Sequence, residues 1–597
     1  MNDQRNLLIA IAAAVSILIL YQVFVTGPAM QREAAVREAQ IAQEAAAPVV
    51  AAEPVVRSAE QVRAETQRIG IDNARIRGSL SLTGGRIDDI FLKDYYSNID
   101  AKEAEDASQQ VELLRPRGAD GAFYAAIGWA TVEGGPSDLP GLDTPWRLVE
   151  GQNLAPGTPV TLEYQTAGLT FRRQVSVDDR YMFTMTDTVT NASGAPVVLS
   201  AYGQVRRHGL PDGFQPNAII HEGGVGVAGD QLQLRKYRKL AEGETRDDSG
   251  IGGWAGLTDR YWLAAVIPDQ AATVDVRQRA LRPGGVDIYE SSFTAAPVTL
   301  EPGAQITSSA RIFAGAKEYD VLKEYQDAGI SRFSDAIDWG NFWFLTHPYF
   351  WLLEHIDSVV GNFGVAILIM VVFVKLLLFP IANRAYASMA KMKKVQPRMK
   401  ELQEKYKEDR ERLQKEMMAL YREEKVNPVS GCLPILLQIP IFFALYKTIF
   451  VTIEMRHEPF FGWVRDLSAP DPTRIGNLFG LLPWDPSIVL NLPVLGGVIF
   501  AVIGIGVWPI IMGFTMWLLQ ALNPPPPDPM QARIIGLMPI FFTFILGSFA
   551  VGLVIYWAWN NVLSIAQQYV IMRRNGIDTQ FDKLIARMRG RPPETGA

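Results

Sequence analysis

Cysteine is almost missing: the 597 residues contain one, Cys432, so no intrachain disulfide, cysteine-based zinc site or iron–sulfur cluster is available. Histidine is nearly as scarce. The five (His208, His221, His347, His355, His457) are scattered, and no pair has the i, i+4 spacing of a helical metal site. There is no nucleophile elbow and no phosphate-cradling loop ending in lysine and serine. The stretch GVGVAG, Gly224 to Gly229, fits the dinucleotide fingerprint letter by letter, but no βαβ unit surrounds it, and it is read as a Gly-rich hairpin loop. Carboxylates are absent from the long apolar runs. No enzyme, cofactor or metal is expected from these absences.

What the chain does have is apolar length in particular places. Hydrophobic residues make up 48% and charged residues 20%, with a formal net charge of -6. Windows of about 20 apolar residues, enough to cross a bilayer, cluster at the N-terminus and in the last two-fifths. Gly70 to Asp335 reads instead as soluble protein. There, LTFRRQVSVDDRYMFTMTDTVTN alternates apolar and polar residues, and SLSLTGGRIDDIFL, PVTLEYQT, VVLSAYGQVRRH, YWLAAVIP and ITSSARIFAG repeat the texture. Short strands without intervening helices predict an antiparallel sandwich.

The expected layout is an uncleaved signal anchor over 1–28, a tether over 29–69, the β domain over 70–335 and an interfacial amphipathic helix over 336–360. Spans follow over 361–383, 431–451, 506–522, 534–549 and 550–572. A helical hairpin (384–430), an outside loop (452–505) and a short connector (523–533) separate them, and a basic tail (573–597) ends the chain. Asn491 to Gly504 is apolar enough to enter the membrane, but counting it as a span would put the basic tail outside, against the positive-inside tendency. Both termini and the hairpin are therefore placed in the cytoplasm, and the β domain on the far side. Met399, Leu402 and Tyr406, then Leu413, Met417 and Leu420, recur at helical intervals and give the hairpin one thin apolar seam.

One residue interrupts the second span. Lys375 sits in VVFVKLLLFP, where a lysine costs roughly 2.5–3.5 kcal/mol unless it reaches water or a partner. Snorkelling to the headgroups is one solution. A wet recess is the other, and polar residues at similar depth favour it: Gln438, Thr515, Asn560, Asn561 and Ser564. Asn560, Ser564 and Gln567 share a helix face at i, i+4, i+7.

The runs GNFGVAILIMVVFVKLLLFP, SMAKMKKVQP, EMMALYREEKVNPVSGCLPILLQIPIFFALY, DPMQ and GLVIYWAWNNVLSIAQQ resemble the YidC membrane-protein insertases of Gram-negative bacteria. The resemblance implies a polytopic inner-membrane protein of six transmembrane helices, five of them a conserved core, with a periplasmic β-supersandwich. It implies a hydrophilic groove open to cytoplasm and lipid, with a basic residue, commonly arginine, at the position of Lys375. Lysine keeps the charge and loses the planar fork. Insertion of nascent membrane proteins follows, alone or beside the Sec translocon, with the ribosome and its RNA as partners of Lys391, Lys393, Lys394, Arg398, Arg573 and Arg574. Ile439 and Phe442 are the expected apolar contacts along which a substrate slides into lipid. A small-solute transporter and a carbohydrate-active β domain, with Asp178, Asp179 or Asp187 as its acids, stay open as alternatives.

Overall fold

The computed structural model describes residues 57–131, 138–166, 168–214, 220–406, 409–424, 433–491, 502–523 and 529–574, with Phe500, Gly576 and Asp582. The expected signal anchor, most of the tether, Cys432, most of Asn491 to Gly504 and nearly all of the tail beyond Arg574 lie outside these residues. So does the side chain of Lys393.

Among the described residues nineteen strands form two sheets whose strand pairings are all antiparallel. The ten-stranded sheet runs from Arg68–Asp72 through Val197–His208 to Arg246–Ile251. The nine-stranded sheet runs from Gln231–Lys236 through Gln305–Ala316 to Arg147–Glu150. The five quoted runs fall on strands: Ile76–Ser81 with Arg86–Tyr96, Val160–Gln165, Val197–His208, Trp262–Ile267 and Gln305–Ala316. Alternation sets the faces. In Leu169–Val177, residues Leu169, Phe171, Arg173, Val175 and Val177 are buried while Arg172 and Gln174 face out.

The glycine-rich stretch corrects one expectation. Gly223–Ala228 is a fully buried strand, not a loop, and only Gly229, at φ +57°, lies in the turn that follows. Glycine is required there by close approach: a Cβ on Gly226 would stand 2.7 Å from the Trp254 carbonyl oxygen.

Beyond the sandwich the described residues form seven α-helices: α1 (Trp343–Val360), α2 (Phe363–Lys405), α3 (Arg410–Glu423), α4 (Leu433–Val451), α5 (Val507–Leu522), α6 (Pro529–Leu546) and α7 (Val551–Arg574). Among the described residues, Phe363–Met389 alone is long and apolar enough to cross a membrane by itself, while Gln438–Val451, Val507–Leu522 and Ala532–Leu546 are shorter apolar helices. The expected second span and the expected first arm of the hairpin are one continuous helix, α2, which carries Pro380 and Pro397 inside it. Its distal half packs on α3 through Val395, Met399 and Leu402 against Leu413, Met417 and Leu420, so the thin seam is there. Tyr406 is outside that cluster and lies against the Arg412 guanidinium. In α1, Trp343, Phe344 and Trp351 are exposed while Tyr349, Phe350 and Leu353 are buried, leaving one aromatic face open.

The sandwich is tied to this helical region by charge. Lys447, near the end of α4, meets Asp338 at 2.6 Å, and the Asp338 carboxylate also accepts from the His221 backbone at 2.7 Å. Arg465 reaches Asp100 at 2.8 Å, and Lys102 reaches Glu458 at 3.0 Å. Near this seam, desolvation first and then the charges of neighbouring carboxylates push Glu354 up to about 7 and Glu454 up to about 8. The native state therefore holds protons that the unfolded chain releases above about pH 4.5. Their contribution to stability is fully present below that value and is lost as pH rises towards about 8. Thermal unfolding of the detergent-solubilised protein should give a lower midpoint at pH 8.5 than at pH 6, and a Glu354→Gln, Glu454→Gln pair should shrink that difference.

Candidate groove in the helical region

Helices α2, α4, α5, α6 and α7 together enclose a cavity of about 440 Å³. At roughly 30 Å³ of liquid per molecule this holds on the order of ten waters. Its wall has two textures. Met370, Val374, Leu378, Ile439, Phe442, Leu445 and Phe542 make it apolar on the α2, α4 and α6 sides, whereas Asn560, Asn561, Ser564 and Gln568 on α7, with Gln520 on α5 and Asn523 just past it, make it polar on the other.

Lys375 stands twelve residues into α2, about 18 Å along the helix at 1.5 Å per residue. Its neighbours Leu376 and Leu377 are exposed on the outer face, while its ammonium crosses the cavity and donates to the Ser564 hydroxyl at 2.7 Å. That hydroxyl in turn donates to the Asn560 carbonyl at 2.7 Å. No ion pair involves Lys375 among the described residues, so one hydroxyl and the cavity itself are what the charge has for solvation.

α7 is the hub of the polar contacts. Gln438 of α4 donates to Tyr556 at 3.0 Å; Asn561 donates to Thr515 of α5 at 3.2 Å; Gln568 donates to Asn523, just past α5, at 2.8 Å; and the Trp559 indole donates to the Leu368 carbonyl of α2 at 3.2 Å. Interhelical hydrogen bonds of this kind hold helices together where hydrophobic burial does not distinguish helix from lipid. Gly513 brings α5 and α6 close enough that a Cβ would collide with Thr543.

Of the residues expected in the groove, Lys375, Gln438, Asn560, Asn561 and Ser564 all line this cavity. Thr515 does not. It is buried behind the wall, donating to the Met512 carbonyl at 2.8 Å and accepting from Asn561. Gln567 is also outside the lining, and Gln568 takes its place. The signal that would have found it is the i, i+7 pair Asn561 and Gln568, both aimed at α5. Ile439 lines the cavity and is 45% exposed. Phe442 lines it too, with its ring 4.6 Å from that of Trp557.

The expected basic contacts separate into two groups. Lys391, Lys394 and Arg574 are exposed. Arg398 bonds Glu424 at 2.5 Å and Glu423 at 3.3 Å, and Arg573 lies 3.7 Å from Asp582. In the β domain, Asp187 is held by Arg173 and Asp178 accepts from the Tyr325 hydroxyl at 2.5 Å, so neither is a free acid. No group of three or more metal-ligating side chains occurs among the described residues.

Comparison with known proteins agrees along the whole chain. The 60Kd inner membrane protein family matches residues 355–578, and the YidC periplasmic domain family matches residues 68–352. The "Membrane protein insertase YidC" of Maricaulis maris (strain MCS10) is 51% identical over 98% of each chain. That of Caulobacter vibrioides (strain NA1000 / CB15N) is 45% identical over 99% of each. Among solved structures, an active YidC insertase with its first transmembrane domain resolved is 16% identical, with a TM-score of 0.36, covering 86% of this chain and 94% of that one.

Proposed function

The chain belongs to the YidC family and is a membrane protein insertase; from that premise we propose that it inserts its substrates through the polar cavity among α2, α4, α5, α6 and α7. The observation that carries this reading is the lysine placed inside that cavity without a carboxylate partner among the described residues. A nascent segment must move a polar, often acidic, flank across hydrocarbon. A recess wetted from the cytoplasm shortens the dry distance, and an unneutralised ammonium attracts the flank.

The helices themselves shorten that distance further. α5 has 16 residues and α6 has 18, about 24 and 27 Å of helix against a hydrocarbon core of about 30 Å. A bilayer meeting them thins locally. Once the flank has crossed, burial of the roughly 20-residue apolar remainder in lipid is downhill without nucleotide or covalent chemistry. Ile439, exposed at the wall of the cavity, and Phe442 beside it form the exit.

In this reading the chain crosses the inner membrane six times with both termini inside, α1 lies at the outer interface, and the α2–α3 hairpin projects into the cytoplasm. Lys391, Lys394 and Arg574 then meet the ribosome and its RNA, a salt-sensitive attraction, while Arg398 and Arg573 are already satisfied. The Sec translocon is a partner for larger substrates.

A photo-crosslinking residue at Ile439 in a stalled insertion intermediate tests the path. Crosslinks to the substrate's apolar segment are expected from Ile439 and not from Trp351 on α1, and equal yields from the two would sink the lateral exit.

A further inference from the structure

A second cavity, about 500 Å³, lies in the β domain where it meets the end of α4. Arg260 and Arg456 both line it, along with Tyr261, Trp262 and Phe450. The Arg260 guanidinium lies 3.8 Å over the Phe450 ring and 4.5 Å over Tyr261, and that of Arg456 lies 5.4 Å over Trp262. Each has one protein contact through nitrogen: Arg260 Nε donates to the Phe450 carbonyl at 3.0 Å, and Arg456 Nη2 to the Tyr96 carbonyl at 2.6 Å. Each also keeps a buried nitrogen with no hydrogen-bond partner, Nη2 of Arg260 and Nη1 of Arg456.

Of the other charges of this cavity, Asp212 is exposed and the two remaining arginines are engaged. Arg207 pairs with Asp259 at 2.6 Å, and Arg115 with Glu112 at 2.9 Å. Glu222 accepts from the Arg260 backbone at 3.1 Å and stays outside ion-pair distance of both free guanidiniums, as does every other carboxylate among the described residues. Two guanidiniums that line one cavity are therefore held on aromatic platforms, outside ion-pair distance of any carboxylate among the described residues. Such a pair is suited to an anion with several oxygens.

We propose that Arg260 and Arg456 form a phosphate site, filled at the outer membrane surface by the headgroup of an anionic phospholipid. The lipid source rests on the topology proposed above, because Phe450 and Arg456 must then stand at the outer headgroup level. A headgroup bound there would tie the β domain to the bilayer beside α4.

The test uses the full chain purified in a non-ionic detergent. Equilibrium dialysis with labelled inorganic phosphate should give saturable binding, weakened about tenfold or more in an Arg260→Gln, Arg456→Gln pair and largely kept in the Arg→Lys pair. Native mass spectrometry after extraction from equal mixtures of phosphatidylglycerol and phosphatidylcholine should show phosphatidylglycerol retained preferentially by the wild type and by the Lys pair. Phosphate binding without that lipid preference would overturn the headgroup and the topology behind it while keeping the phosphate site. Absence of saturable phosphate binding to the wild type, or binding unchanged in a folded Gln pair, overturns the site itself.

Discussion

Replacing Lys375 by glutamate should reduce insertion of a short protein with an acidic translocated tail by about a hundredfold or more in cells depleted of the native protein, at normal abundance of the variant. The size follows from the sign change. Two unit charges 4 Å apart interact by about 4 kcal/mol at an effective dielectric constant of 20, and the substitution turns that attraction into repulsion of similar size. Arginine should support insertion, since it keeps the charge. Glutamine separates the remaining terms: it can still bond Ser564 across the cavity, so it preserves the wall and loses only the charge. An intermediate yield with glutamine and near-zero yield with glutamate means the ammonium draws the substrate in. Equal yields for all three variants would mean that the shape and hydration of the cavity carry insertion without the charge.

Much of this site was legible because a bilayer imposes strict rules on sequence. A lysine in a 20-residue apolar run must be solvated, and polar residues at equal depth on other runs are the available candidates; five of the six expected groove residues do line one cavity. What was not legible is which helix each polar residue addresses. Ser564 turns towards Lys375 of α2, whereas Asn561 and Gln568 turn towards Thr515 and Asn523 at α5. One face of α7 thus serves two neighbours, and an i, i+4, i+7 rule applied to a single helix chose Gln567 for want of that knowledge.

The strands were legible for the same reason that their exceptions were not. Alternation marks a face, but it does not say why glycine or arginine occupies an inward position. Gly223–Ala228 looked like a loop because glycine is depleted in strands, and its cause is the backbone of the neighbouring strand at Trp254, remote in sequence. Likewise the expected boundary near residue 383 follows the end of the apolar run. The helix ignores it, since charged residues propagate an α-helix in water as well as apolar ones do in lipid.

Arg173 is the inward exception with the greatest consequence for stability. It is fully buried, bonds Asp187 through two parallel contacts of 2.7 Å, and lies 4.7 Å from the Trp146 ring, while the Trp129 indole donates to the same carboxylate at 2.9 Å. Removing the carboxylate leaves a guanidinium in the core with no compensating charge, which costs about 3–5 kcal/mol. Asp187→Ala should therefore lower the urea midpoint of the β domain, followed by protease sensitivity of the full chain, far more than any surface change. The decisive comparison is the double replacement Arg173→Met, Asp187→Leu. With both charges gone the sandwich keeps an apolar fill of similar volume, and most of the lost stability should return. Should the double variant be as unstable as Asp187→Ala, the pair would be stabilising in its own right, and the Trp129 and Trp146 contacts would have to account for the surplus. Either outcome also bears on catalysis: an aspartate whose carboxylate is committed to a core arginine and a tryptophan is an architectural group, and its loss should impair insertion only in proportion to the loss of folded β domain.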